Sequence, residues 1–176
     1  VAIGQMERVL LIDADMRKPT IAKVLNLPPN SPGLSNLVAG TATLDDCILH
    51  MEDANIDVLT SGLIPPNPSE LLSSHKFAEL LRKFAQEYDR VIIDSPPTLL
   101  VSDALLMSKV VDAVVYVIRS DITTHQTVRT GVNRLMAVKA PIIGVILNKV
   151  NMKKAAQYYG AYSSYYAYGG YVYGHN

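Results

Sequence analysis

The sequence has 176 residues, 49% apolar and 18% charged, enough for one globular domain with a single hydrophobic core. Sixteen Lys and Arg balance sixteen Asp and Glu, so there is no broad electropositive field, which argues against general nucleic-acid binding. The single cysteine, Cys47, rules out an internal disulfide framework and fits a reducing, cytoplasmic compartment, and no apolar run approaches the roughly 20 residues of a membrane helix.

In chain order, Arg8–Ile12 is a β-branched and leucine-rich run ending at Asp13. It predicts a strand. Leu27–Gly33, with three prolines, is a loop. Ile56–Leu59 is a shorter candidate strand. After the loop Pro65–Pro68, Asn67 can cap a helix, Pro68 suits its first position, and Glu70 lies three residues after Asn67. Phe77, Leu80, Leu81, Phe84 and Tyr88 then recur at helical spacing. Arg90–Ile93 ends at Asp94, and Pro96-Pro97 removes two backbone donors and stops that strand. Ala113–Ile118 and Ile142–Leu147 complete the strands, with a helix between them that opens near Thr123, has Gln126 three residues on, and runs to about Val138.

Strands that are apolar at nearly every position are expected to be buried on both faces, as in a parallel sheet flanked by helices. The strand–helix alternation therefore predicts the α/β class, with a mostly parallel sheet and helices on both faces.

Composition changes after Lys154. Residues 155–176 hold no Lys, Arg, Asp or Glu but eight of the ten tyrosines: Tyr158, Tyr159, Tyr162, Tyr165, Tyr166, Tyr168, Tyr171 and Tyr173. Their irregular spacing fits neither a period of two nor one of 3.6, and the segment reads as a mobile low-complexity tail. The domain reading is 1–150 for a folded part and 151–176 for the tail.

Ligands of open α/β sheets bind beyond the carboxyl ends of the strands. Two strands place carboxylates there: Val9-Leu10-Leu11-Ile12-Asp13-Ala14-Asp15-Met16-Arg17 and Val91-Ile92-Ile93-Asp94-Ser95-Pro96-Pro97. A charge directly after a buried run costs several kcal/mol unless paired, hydrogen-bonded or metal-bound. Magnesium is a suitable partner, because it uses one or two carboxylates and completes its shell with waters and phosphate oxygens. If Asp13-x-Asp15 were extended, both carboxylates would lie on one side. Strand-end aspartates also cap helices or start turns, so one such run alone is weak evidence. Two, each with its own following residues, are much more specific.

These motifs carry a resemblance. Leu10-Leu11-Ile12-Asp13-Ala14-Asp15-Met16-Arg17-Lys18-Pro19 resembles the second Walker motif of the bacterial tyrosine kinases of capsule and exopolysaccharide assembly. Val91–Pro97 looks like their Walker B motif, Asn67-Pro68-Ser69-Glu70-Leu71-Leu72 is similar to a stretch between the two, and the tyrosine-rich tail is like their autophosphorylation cluster. Arg17, two residues after Asp15, fits the kinase branch of a superfamily that also holds the Min and Par partition ATPases.

The resemblance implies a P-loop ATPase fold and transfer of phosphate from ATP to tyrosine with Mg2+. It implies that Asp13 accepts the tyrosine proton, that Asp15 and Asp94 hold magnesium, and that Asn148 and Arg119 line the nucleotide pocket. The eight tail tyrosines would be the acceptors. It further implies a homo-oligomer, a membrane-embedded activator or chain-length regulator that draws the protein to the inner face of the membrane, a cognate tyrosine phosphatase, and control of capsule or exopolysaccharide synthesis.

One part is missing. No G-x-x-x-x-G-K-[ST] and no Gly-Lys pair occurs in the sequence. The family places that loop one strand and one helix before the Asp13 motif, so the chain reads as N-terminally truncated, with Val1–Glu7 as the last turns of that helix. Such a fragment is expected to bind ATP poorly, because the anion-binding amides are absent, and to leave sheet edges and core faces open where a central strand would lie. As a flexible chain, the residues after Val150 would span about 28 Å, with a contour of about 85 Å, enough to reach a neighbouring subunit. Eight phosphotyrosines would add roughly −12 to −16 charges and oppose close packing of tails.

Other residues fit plainer roles. The four histidines are scattered without ligand spacing. Cys47 follows two acids that would raise its pKa, and suits a small core position. Met6, Met51, Met107 and Met136 suit helix or core packing. Two other functions compete with the kinase: a partition ATPase, which has no use for a tyrosine cluster, and a non-catalytic scaffold that keeps the fold.

Overall fold

The computed structural model describes residues 6–28 and 31–151. Strand β1 (Val9–Asp13) is followed by short helices α1 (Ile21–Val24), α2 (Leu34–Ala39) and α3 (Leu44–Cys47), and strands β2 (Ile48–Met51) and β3 (Ile56–Leu59). Helices α4 (Pro68–Leu72) and α5 (His75–Glu87) lead to β4 (Arg90–Asp94) and α6 (Asp103–Met107). Strand β5 (Val114–Arg119), helix α7 (His125–Ala137) and strand β6 (Ile142–Asn148) complete the order.

The strands form a four-stranded sheet in the order β2-β3-β1-β4 and a two-stranded sheet, β5-β6. Strand β1 pairs in parallel with both β3 and β4, and β5 pairs in parallel with β6. Only β2 runs antiparallel, against β3. The class is α/β with a mostly parallel sheet, as the alternation predicts.

Burial differs from the expectation for most strands. Only β1, held between β3 and β4, is closed on both faces, with Leu10 and Ile12 fully buried. In β4 and β5 exposed positions alternate with half-buried ones, and β6 is mostly exposed. Their runs read as doubly buried because apolar composition reports what a strand could bury, not what covers it. Among the described residues β4 is paired on one side only, by β1, and β5 on one side only, by β6. Val115, Val117, Val145 and Leu147 stand exposed on β5 and β6.

The core gathers Leu10, Ile12, Met16 and Leu59 against Leu34, Leu37 and Val38 of α2 and Phe77, Leu81 and Phe84 of α5. Cys47 is buried there, and burial followed by the nearby Asp46 charge pushes its thiol pKa up. Met107 is buried, but Met6 and Met136 are exposed, contrary to the packing expected of them. Met6 lies in a turn and Glu7 in a bend, and most of the helix end expected at Val1–Glu7, residues 1–5, lies outside the described residues.

The helix expected from Asn67 to Tyr88 is two helices. Helix α4 ends at Leu72, and Ser74, in extended backbone at ψ 150, caps α5 by accepting the Phe77 amide at 3.2 Å. Asn67 does not cap backbone. Its side-chain amide donates to Glu70 Oε2 at 3.1 Å instead. At α7, Thr124 is the cap and accepts the Thr127 amide, one residue beyond the expected start.

One close approach requires glycine. A Cβ on Gly33 would sit 2.3 Å from the Thr60 carbonyl oxygen, which accepts the Leu34 amide as α2 docks on the loop after β3. A Cβ on Gly131 of α7 would meet only the ends of the Tyr116 and Thr98 side chains, which could shift to make room.

Candidate active site

Each strand that ends in a candidate site residue includes that residue in its ladder. Asp13 and Asp94 are register partners at the carboxyl ends of β1 and β4, adjacent parallel strands about 4.8 Å apart. The Ala14 amide, just past β1, donates to the Asp94 carbonyl at 2.9 Å and continues the pairing. The two aspartates are thus brought together at one end of one sheet.

The chain does not stay extended through Asp15. Beyond Asp13 it turns, and the Asp15 amide donates to Asp13 Oδ1 at 3.1 Å. Asp13 Oδ2 accepts the Thr20 and Ile21 amides at 3.2 and 3.1 Å, where α1 begins. Asp13 is fully buried. Burial raises its pKa, the amides of Ile21, Asp15 and Thr20 oppose that, and the Asp15 charge adds to the rise. Its net position is above the ordinary carboxylate value. The turn-starting role that any strand-end aspartate can play is therefore real here, and it coexists with the site geometry.

Asp15 repeats the device one step later. Its Oδ1 accepts the Arg17 and Lys18 amides at 3.1 and 3.0 Å. Asp94 keeps an open face to solvent. The packed strand end beneath it, then the Asp13 and Asp15 charges, push its pKa up. The Asp15 charge thus raises Asp13, and the Asp13 and Asp15 charges raise Asp94, the kind of crowding a hard divalent cation on oxygen donors could relieve. Among the described residues no group of three or more His, Cys, Asp or Glu is arranged to chelate a metal alone. One or two of these carboxylates could hold magnesium only with other oxygens completing its shell.

Arg119 and Asn148 are also register partners, at the carboxyl ends of β5 and β6. Both are exposed. The Asn148 side-chain oxygen accepts the Lys149 amide at 2.8 Å, and its carbonyl accepts the Ser120 amide at 2.9 Å. They form a second pair, on the other sheet from the aspartates. The eight tail tyrosines lie outside the described residues.

One cluster at this end was not singled out from sequence as a unit. Asp103, the first residue of α6, is fully buried and accepts Arg17 Nε at 2.7 Å on Oδ2. Its Oδ1 accepts Arg17 Nη2 at 3.1 Å and Ser69 Oγ at 2.7 Å. Burial alone would raise the Asp103 pKa, but the bonds from Arg17 and Ser69 outweigh it and hold the carboxyl below its ordinary value. Nothing local marks Asp103: its partners lie 34 and 86 residues away in sequence. Only Arg17 and the Ser69 stretch carried a signal, as parts of separate motifs.

A family model described as an AAA domain matches residues 3–149. The tyrosine-protein kinase YwqD of Bacillus subtilis is 38% identical over 88% of this chain, which spans 65% of that protein. The tyrosine-protein kinase wzc of Salmonella typhi is 39% identical over 91% of this chain, which spans 22% of that larger protein. The crystal structure of the VpsO kinase domain matches with a TM-score of 0.81 at 45% identity, covering 85% of this chain and 74% of that one. The chain belongs to the bacterial tyrosine kinases within the P-loop ATPases.

Proposed function

We propose that the protein is an ATP-dependent tyrosine kinase that phosphorylates its own tyrosine cluster, and that residues 1–150 and 151–176 are its kinase part and its acceptor tail. The observation that carries this is the register pairing of Asp13 with Asp94, with the Asp15 amide bonded to the Asp13 carboxylate. Asp15 and Asp94 would hold Mg2+, which supplies charge neutralisation on the transferring phosphate. Asp13 takes the proton from the attacking tyrosine hydroxyl. Its Oδ1, bonded to one amide where Oδ2 is bonded to two, is the oxygen better placed to accept it. Burial raises its pKa toward working pH, the direction that favours a base. Arg119 and Asn148, side by side, serve the nucleotide.

No G-x-x-x-x-G-K-[ST] phosphate loop occurs within these 176 residues. Among the described residues no helix is long and apolar enough to cross a membrane. Residence at the inner membrane face, self-association, a membrane-embedded activator, a cognate phosphatase and control of capsule synthesis are parts of the same reading.

The test is incubation of the full-length protein with labelled ATP, followed by a phosphotyrosine blot. Wild type should become labelled on tyrosine, and a form with all eight tail tyrosines changed to Phe should lose most of the label. Hydrolysis of ATP with no phosphotyrosine would favour the partition ATPase, and neither activity would favour a scaffold.

A further inference from the structure

The turn that carries Asp15 is not anchored by its own residues alone. Asp15 Oδ1 receives the Arg17 amide, and the Arg17 guanidinium reaches away to Asp103 with both Nε and Nη2. Nη2 also bonds Ser69 Oγ at 3.0 Å, and Ser69 Oγ itself donates to Asp103. Three segments far apart in sequence are tied at one point: the turn after β1, the first turn of α4 and the start of α6. Asp103 is fully buried, and each of its oxygens is engaged. A two-pronged guanidinium contact fixes direction as well as distance, so the Arg17 backbone, and with it the Asp15 carboxylate, has little freedom.

We propose that Arg17, Ser69 and Asp103 are positioning residues that hold the Asp15 carboxylate beside Asp94 in the geometry that binds the metal. The proposal rests on the kinase reading only in taking Asp15 and Asp94 as metal ligands. None of the three touches the reacting atoms. They act through the Arg17 amide on Asp15, as outer partners of metal ligands do in other sites. A buried ion pair is weak evidence for stability by itself. The distinguishing quantity is therefore the metal dependence, not the melting temperature.

Arg17→Lys keeps the charge but loses the two-pronged contact. Ser69→Ala removes one hydroxyl, and Ser69→Thr restores it. In the full-length protein, autophosphorylation is measured against Mg2+ concentration, together with Mg2+-dependent binding of a fluorescent ADP analogue. Arg17→Lys should raise the Mg2+ needed for half-maximal activity and binding by about tenfold, and Ser69→Ala by about threefold. At saturating Mg2+ the turnover of both should return to near wild type, and Ser69→Thr should behave as wild type.

If both Arg17→Lys and Ser69→Ala lower the melting temperature but leave the Mg2+ half-saturation within about twofold of wild type, the cluster is only structural and the proposal is wrong. If Arg17→Lys does not fold, Ser69→Ala decides alone. A wild type that binds the ADP analogue with the expected dependence on Ser69 but makes no phosphotyrosine upholds the positioning role and overturns the kinase reading. A wild type with no Mg2+-dependent nucleotide binding overturns both.

Discussion

Replacing Asp94 with Asn is expected to lower autophosphorylation of the full-length protein by at least about 10²-fold while raising the melting temperature of the metal-free protein at pH 7. The two effects share one cause. In the folded protein the packed strand end and the Asp13 and Asp15 charges raise the Asp94 pKa, so a charged Asp94 opposes folding until a cation arrives. Between the ordinary value of 3.8 and its raised value, the folded state binds more protons than the unfolded one. Metal-free stability therefore falls as pH rises through that window, and the penalty is complete above it. The gain from Asn should be full at neutral pH and fade as pH falls toward 3.8. Thermal unfolding of both forms in a chelator from pH 7 to 4 checks this. An Asp94→Asn protein that is less stable than wild type at pH 7 would mean that the carboxylates do not crowd one another.

The second large effect belongs to Asp13, where two substitutions separate two duties. Asp13→Ala strands three backbone amides, those of Asp15, Thr20 and Ile21, at a buried position. It should lower stability by about 2 kcal/mol in a urea titration and also abolish the base. Asp13→Asn can keep its oxygen toward Thr20 and Ile21, but its NH2 then faces the Asp15 N–H donor to donor, so it should lose one of the three bonds and less stability than Asp13→Ala. It cannot take a proton. Its autophosphorylation should fall by about 10²–10⁴-fold, the usual contribution of a general base. Near-normal activity in Asp13→Asn would reduce Asp13 to the anchor of the turn and the start of α1.

Much of this was legible in sequence, for identifiable reasons. Strands β1 and β4 announce themselves because an apolar run stops at a carboxylate, and a parallel sheet places both stops at one end. Their pairing in register follows from the fold rather than from either run. Short elements were hidden. Strand β2 has four residues with His50 on its exposed side, and α2 has six, its first two amides taken by the Thr60 and Ser61 carbonyls of a distant loop beside the local bond from the Gly33 amide to Asn36.

The break between α4 and α5 was hidden as well, because the apolar spacing continues across Ser73 and Ser74 while the backbone does not. Asp103 was the most consequential residue to escape notice. It reads as an ordinary first-turn acid of α6, and only tertiary contact with Arg17 and Ser69 turns it into the buried centre of a cluster. Among the described residues β4 and β5 are each paired on one side only, which apolar composition alone does not reveal.

The most direct measurement uses Mn2+ in place of Mg2+. In the full-length protein with ADP bound, Mn2+ should broaden the backbone amide resonances of Ala14, Asp15, Arg17 and Ser95, which flank the carboxyl ends of β1 and β4. Those of Arg8, Asn55 and Asp89, at the amino ends of β1, β3 and β4, should stay sharp. Broadening centred on Arg8, Asn55 and Asp89, or none at the carboxyl ends, would contradict a metal–nucleotide site built on Asp13, Asp15 and Asp94.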